Sequence, residues 1–253
     1  EKISVVPNGV NLNKFSGMDR DYTFRRRYAM DNEKIILFMG RLVYEKGVQN
    51  LIAAMPKILE GYHDAKLVIA GKGGMLDELR AQADYLGISN KVYFAGYMNG
   101  KDVERMYKAA DISVFPSTYE PFGIVALEGM LAERPIVVSD AGGLGEIVEH
   151  RETGMKTYCG NPNSIADSIL ELLYNPELCA NIVKKAKAKV KTYNWVKIAQ
   201  DTHFIYQKAI CETMAEKQRK QLEQEKAQKT KKAKGTEKEI TNLLAFRKRQ
   251  AYA

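Results

Sequence analysis

The chain reads as an α/β fold, a Rossmann-like parallel sheet with helices on both faces, followed by a long carboxy-terminal helix and a basic tail. Three observations lead there. Short runs rich in Val, Ile and Phe recur at residues 35–39, 66–70, 92–95, 112–115 and 136–139. Each precedes a longer stretch with helical spacing, the alternation of a βαβ chain whose strands are covered on both sides. Glycine-rich or charged turns follow several of the runs, and in an open parallel sheet ligands collect beyond the carboxyl ends of the strands.

Taken in order, the spacing predicts helices over 48–59, 74–86, 101–109 and 123–131. Between the second strand and its helix lies Gly71-Lys72-Gly73-Gly74. It lacks both the Walker spacing and a full Gly-x-Gly-x-x-Gly pattern, so it is read as a tight βα turn rather than a phosphate loop. After Gly160 come helices over 164–174 and 176–190, a break around Tyr193-Asn194-Trp195, and a further helix from 196 to beyond 214. Trp195 is expected in core packing, the usual place of a lone Trp. From Glu216 the chain is a Lys/Glu/Gln run with little apolar periodicity, interrupted at Gly235, with a short apolar patch over 240–246.

Composition narrows the functions. No apolar run approaches the ~20 residues of a membrane-spanning helix, so the protein is not expected to be integral to a membrane. Three cysteines, Cys159, Cys179 and Cys211, are odd in number and widely spaced. That argues against a disulfide framework or a zinc site and makes a reducing cytoplasm the expected compartment. The net charge of +8 is uneven: residues 212–253 hold 12 Lys/Arg against 6 Asp/Glu, and residues 1–211 hold 27 against 25. The domain is nearly neutral, so a nucleic-acid partner is not expected, and the tail reads as a solvated helical or disordered extension. His63, His150 and His203 lie outside the motifs below, and no metal-ligand cluster is present in the sequence.

The most informative stretch is Tyr119-Glu120-Pro121-Phe122-Gly123-Ile124-Val125-Ala126-Leu127-Glu128. One carboxylate precedes a helix and another lies within it. Pro121 suits the first turn, where its missing N–H costs nothing, and the free amides that follow face the helix mouth with the positive end of the dipole behind them. An anion, or the hydroxyls of a sugar attached to one, fits there. Arg41, at the end of the first strand, offers a guanidinium that grips phosphate oxygens bidentately, and Lys46, at the start of the next helix, offers a compact ammonium. Among largely apolar neighbours, Glu128 is costly to leave unpaired.

These stretches resemble the retaining glycosyltransferases of the GT-B fold, group 1 and glycogen synthase-like. Glu120 to Glu128 is similar to the family's Glu-x7-Glu signature, 40–47 (Gly-Arg-Leu-Val-Tyr-Glu-Lys-Gly) to its phosphate motif, and 139–148 to its closing loop. The likeness runs from about residue 5 to 206. It implies the carboxy-terminal, donor-binding half of such an enzyme: an interdomain segment over 1–20, a donor-binding domain over 21–211 and a tail over 212–253, with an amino-terminal acceptor domain expected outside this chain.

The resemblance also implies roles. Glu120 contacts the sugar hydroxyls and the oxocarbenium-like transition state. Gly40, Arg41 and Lys46 hold the donor diphosphate, with the backbone amides of Phe122, Gly123 and Ile124 completing the cradle. Glu128 takes the ribose hydroxyls, and the base rests near Gly96, Tyr97 and Met98. The donor is a nucleoside diphosphate sugar, UDP- or ADP-linked and most often glucose. It is used without a metal or other cofactor, and the acceptor is a hydroxyl compound, with a slight lean to an α-glucan. Two alternatives stay open: a nucleotide-sugar epimerase or hydrolase on the same fold, and a non-catalytic binding module whose basic tail recruits a polyanion. The two acids of a retaining glycosidase fit less well, since that reading leaves Arg41 and Lys46 without a role.

Overall fold

A computed structural model of the chain describes residues 3–250, apart from the side chains at 233, 235–237 and 239–250. Residues Val6–Ile198 form one compact unit, and a second unit comprises the chain from Ala199 onward with the few residues before Val6.

Six strands build the first unit's sheet among the described residues: β1 Lys34–Met39, β2 Ala65–Ala70, β3 Val92–Gly96, β4 Ile112–Phe115, β5 Ile136–Ser139 and β6 Met155–Thr157. Every pairing is parallel and the order is β3-β2-β1-β4-β5-β6. The five expected strands are all present within a residue of their expected ends; β6 adds an edge. Strand side chains alternate between two cores. Ile35 and Leu37 face one, while Ile36 and Phe38 face the other, all essentially buried.

The helices divide between those faces. α1 (Tyr22–Arg25), α4 (Gly100–Ala109), α5 (Ile124–Leu131), α6 (Gly142–Ile147) and α8 (Pro176–Val190) place Phe24, Met106, Leu127, Leu144 and Ala186 in the first core. α2 (Val48–Gly61), α3 (Leu76–Tyr85) and α7 (Pro162–Tyr174) place Ile52, Leu79 and Ile169 in the second. Asn161 and Asn175 cap α7 and α8 through their side chains, with a proline following each cap. The chain therefore leaves β1 toward one face and β4 toward the other. Between those adjacent strands the connections diverge, and a crevice opens at their carboxyl ends.

Asp111 anchors the opposite end of the same pair of strands. It accepts from the Ile35 amide at 2.8 Å, from Arg20 at 2.8 Å and from Arg25 at 3.2 Å. Burial pushes its pKa up, but the hydrogen bond and charge of Arg20, the Ile35 amide and the charge of Arg25 outweigh it and hold the carboxyl below its ordinary value.

Two expectations are corrected here. Trp195 is half exposed, its ring lying against Gly9 rather than in the core. The helix that begins there, α9 (Trp195–Gln250), runs through Gly235 without the expected interruption. Long unbranched residues favour it, and pairs such as Glu216–Lys220 at 2.8 Å lie one turn apart. The side chains of the apolar patch over 240–246 lie outside the described residues. No helix among the described residues is long and apolar enough to cross a membrane.

Candidate donor-binding site

The loop after β1 starts the site. Gly40 continues the ladder by donating to the Ala70 carbonyl at 3.0 Å, and Leu42 donates to that of Lys72 at 3.0 Å. Met75 returns a bond to the Leu42 carbonyl at 3.2 Å, so Gly71-Lys72-Gly73-Gly74 is a turn braced against this loop. The exposed guanidinium-bearing Arg41 and the turn border a cavity of ≈ 420 Å³ whose other walls include Gly40, Tyr97 and Met98. Gly96 accepts from the Gly71 amide at 2.8 Å, which ties the β3 end to it. The ammonium of Lys72 sits 4.9 Å from the centre of the Tyr97 ring. Of the residues expected at the diphosphate and at the base, Gly40, Arg41, Tyr97 and Met98 line this one hollow, while Lys46 and Gly96 do not.

Lys46 lies on a one-turn 3₁₀ helix, Tyr44–Lys46, rather than at the start of α2 as expected; Gly47 separates the two. Gly47 is left-handed at φ 68°, and a Cβ there would stand 1.9 Å from the Pro116 carbonyl oxygen. Only glycine permits so close an approach of the β1 and β4 loops. The contact continues with Thr118 donating to the Glu45 carbonyl at 2.8 Å, so Glu45 acts here through its backbone.

That docking brings two motifs together. Lys46 Nζ meets Glu120 Oε2 at 2.5 Å, with side chains 19% and 12% exposed. Glu120 is held from behind as well, its carbonyl accepting from the Gly143 amide of α6 at 2.8 Å. The stretch over 142–147, expected as a loop, is therefore a short helix that braces the acidic residue.

Pro121 is not in the first turn of a helix. It lies on a bend, Phe122 and Gly123 follow on the same loop, and α5 begins at Ile124 with Gly123 as a left-handed cap and no capping side chain. The Gly123 carbonyl accepts from Ala126 at 3.0 Å. Of the three amides expected in the cradle, only that of Ile124 belongs to α5; those of Phe122 and Gly123 lie on the loop before it. Farther along α5, Glu128 does not meet Lys46 or Arg41. Its Oε1 forms an ion pair with Lys14, a residue the sequence reading passed over. Near it lies the fully buried Tyr107 hydroxyl; burial, and then the negative charge of Glu128 and hydrogen bonding to it, raise its pKa well above a phenol's. His150 is exposed and accepts from the Lys156 amide at 3.0 Å.

An open sheet with this strand order, with cations and carboxylates gathered at its switch point, defines a Rossmann-like domain of the kind that holds phosphorylated ligands. The chain belongs to the Glycosyl transferases group 1 family, which it matches over residues 20–189. It is 46% identical to an uncharacterized glycosyltransferase of Methanocaldococcus jannaschii over 215 residues, 83% of this chain and 55% of that protein. With the glycogen synthase of Mycobacterium tuberculosis it shares 31% identity, covering 81% of this chain and 48% of the synthase. Among solved structures it resembles Anabaena HepE in complex with UDP and glucose (TM-score 0.72, 26% identity, 81% of this chain and 56% of that one). It also resembles the C-terminal domain of the group 1 glycosyl transferase LpcC from Francisella tularensis (TM-score 0.67, 26% identity), with 74% of this chain covering 100% of that domain. These neighbours are GT-B glycosyltransferases. The chain spans about half the length of the curated relatives it matches.

Proposed function

We propose that this chain binds a nucleoside diphosphate sugar and supplies the donor side of a sugar transfer to an acceptor hydroxyl, with retention at the anomeric carbon. The observation that carries the reading is the Lys46–Glu120 contact, which joins residues 74 positions apart at the mouth of the crevice. A cation for the leaving phosphate and a carboxylate for the sugar are thereby adjacent.

As the bond from the anomeric carbon to the diphosphate breaks, negative charge grows on phosphate oxygens and positive charge on the sugar ring. Arg41 and Lys46 answer the first, helped by the Gly40 backbone and the amides of Phe122, Gly123 and Ile124. Glu120 answers the second and holds sugar hydroxyls. Glu128 takes the ribose, and Gly96, Tyr97 and Met98 border the base. Without donor, Lys46 is neutralised by one carboxylate. A diphosphate carries at least two negative charges, each worth about 4 kcal/mol at ~4 Å in an effective dielectric of ~20, so it draws Lys46 away and frees Glu120 for the sugar.

Two cations and a helix mouth give this site its own counter-charge, which supports transfer without a metal. The UDP and glucose held by HepE support a uridine nucleotide and a glucosyl donor as the first to try. The glycogen synthase relative supports an α-glucan among acceptors. A thermal-shift screen of UDP-, ADP- and GDP-sugars in EDTA tests the reading, since a ligand of the native state raises the midpoint by mass action. One preferred donor is expected; no shift with any nucleotide, or a shift only with added divalent metal, contradicts it.

A further inference from the structure

We propose that Lys14 is a positioning residue for pentose recognition: it fixes the Glu128 carboxylate so that the free oxygen faces the ribose hydroxyls. The inference rests on the assignment of Glu128 to the ribose and adds a residue outside every motif that carries that assignment.

The geometry is specific. Lys14 and Glu128 are 114 positions apart, and their side chains are 23% and 18% exposed. Lys14 takes Oε1 and makes no use of Oε2. A carboxylate has several acceptor sites over its two oxygens, so the Lys14 contact, even with the Tyr107 hydroxyl alongside, leaves acceptor capacity for hydroxyl donors. The segment that bears Lys14 is itself held. Asn11 closes it by accepting from Asn13 on its side chain at 3.0 Å and from the Lys14 amide on its carbonyl at 3.1 Å, and Met18 donates to Phe15 at 3.2 Å. Val10 ties its start to the Tyr193 carbonyl at 2.8 Å.

Phe15, the next residue, is buried and packs edge-on to Tyr107, with ring centres 5.9 Å apart and planes at 88°. Tyr107 in turn sets its buried hydroxyl against the Glu128 carboxylate. The same side-chain cluster therefore locates both the carboxylate and its cation before a ligand arrives, and pre-organisation of this kind lowers the ordering cost of binding. A lysine only neutralising the region would affect any nucleotide alike. One aiming a carboxylate affects only ligands with the hydroxyl.

The test compares calorimetric affinities for whichever of UDP and ADP binds more tightly and for its 2′-deoxy analogue, in the wild-type chain and in Lys14→Ala, Lys14→Arg and Glu128→Gln. Wild type is expected to prefer the ribonucleotide by roughly tenfold, the size of one charged hydrogen bond. Lys14→Ala should bring that preference near unity while leaving the deoxynucleotide within about twofold, and Lys14→Arg should restore most of it. Equal losses for both nucleotides in Lys14→Ala, or an unchanged preference, overturn the proposal. Glu128→Gln separates the two levels: if it also leaves the preference intact, the assignment of Glu128 itself has failed. If it abolishes the preference while Lys14→Ala does not, Lys14 alone is wrong.

Discussion

Arg41 and Lys46 carry the electrostatic part of the proposed site; Arg41 is exposed and separable from folding, whereas Lys46 is largely covered and paired with Glu120, so thermal unfolding of its variant accompanies the binding measurement. Replacing either by Ala should weaken nucleoside diphosphate binding by ~1.5–3 kcal/mol, the range of charged hydrogen bonds. Calorimetry at constant ionic strength measures it, and an unchanged affinity removes that residue from the site. Asp111 shows the opposite behaviour, a charge that serves the fold. Its carboxyl is held below the ordinary value in the folded state, so its stabilisation is present above the unfolded pKa and fades as pH falls through the folded one. Asp111→Asn should therefore cost about 3 kcal/mol at pH 7, as breaking a buried ion pair does, and the deficit should shrink progressively in urea unfolding as the pH is taken below the ordinary Asp value of about 3.9. A pH-independent deficit would assign the loss to packing instead. The candidate residues Glu120, Glu128, Arg41 and Lys46 were legible because they stand in short local patterns, and of these the structure pairs Lys46 with Glu120. Lys14 was not, since its partner Glu128 is distant in sequence and a single lysine in a turn carries no periodic signal.

Among the elements, the docking of the β1 and β4 loops decides whether the two motifs meet. Gly47→Ala puts a methyl 1.9 Å from the Pro116 carbonyl oxygen at φ 68°, whereas Gly17→Ala shares nearly the same φ, 69°, with nothing within 4 Å. The second change should cost only the ~1–2 kcal/mol of a left-handed alanine. The first should cost at least ~2 kcal/mol more and should also weaken nucleotide binding, as thermal unfolding and calorimetry of the pair will measure. Equal costs would show that the loop contact is unimportant. The sequence exposed the five longer strands because each is a short run dominated by Val, Ile, Leu or Phe, broken only by single residues such as Lys66 and Ser113. β6 escaped notice because Met155–Thr157 is three residues with a lysine at its centre. α6 escaped for a different reason: Gly142 and Gly143 look like loop, yet their small size is what lets the helix reach the Glu120 and Phe122 backbone. Pro121 misled by its own propensity, since tertiary placement of Gly123 delays the helix to Ile124.

For the whole molecule, the division of charge matters more than its total. Residues 1–211 are close to neutral, their cations largely paired with carboxylates, while the excess positive charge falls in residues 212–253, where helical pairs partly offset it. The fold was legible from alternation alone, and the strand order followed from no local pattern, because parallel neighbours are chosen by packing across the sheet. If the proposed function holds, one nucleotide spans the crevice between β1 and β4. A crystal structure of the chain with UDP tests it most directly. Diphosphate oxygens are expected at ~2.7–3.2 Å from Arg41 and Lys46, with the Lys46–Glu120 contact opened and the ribose on Glu128 beside Lys14. A nucleotide bound at the amino ends of the strands, or one that leaves Lys46 on Glu120, would contradict it.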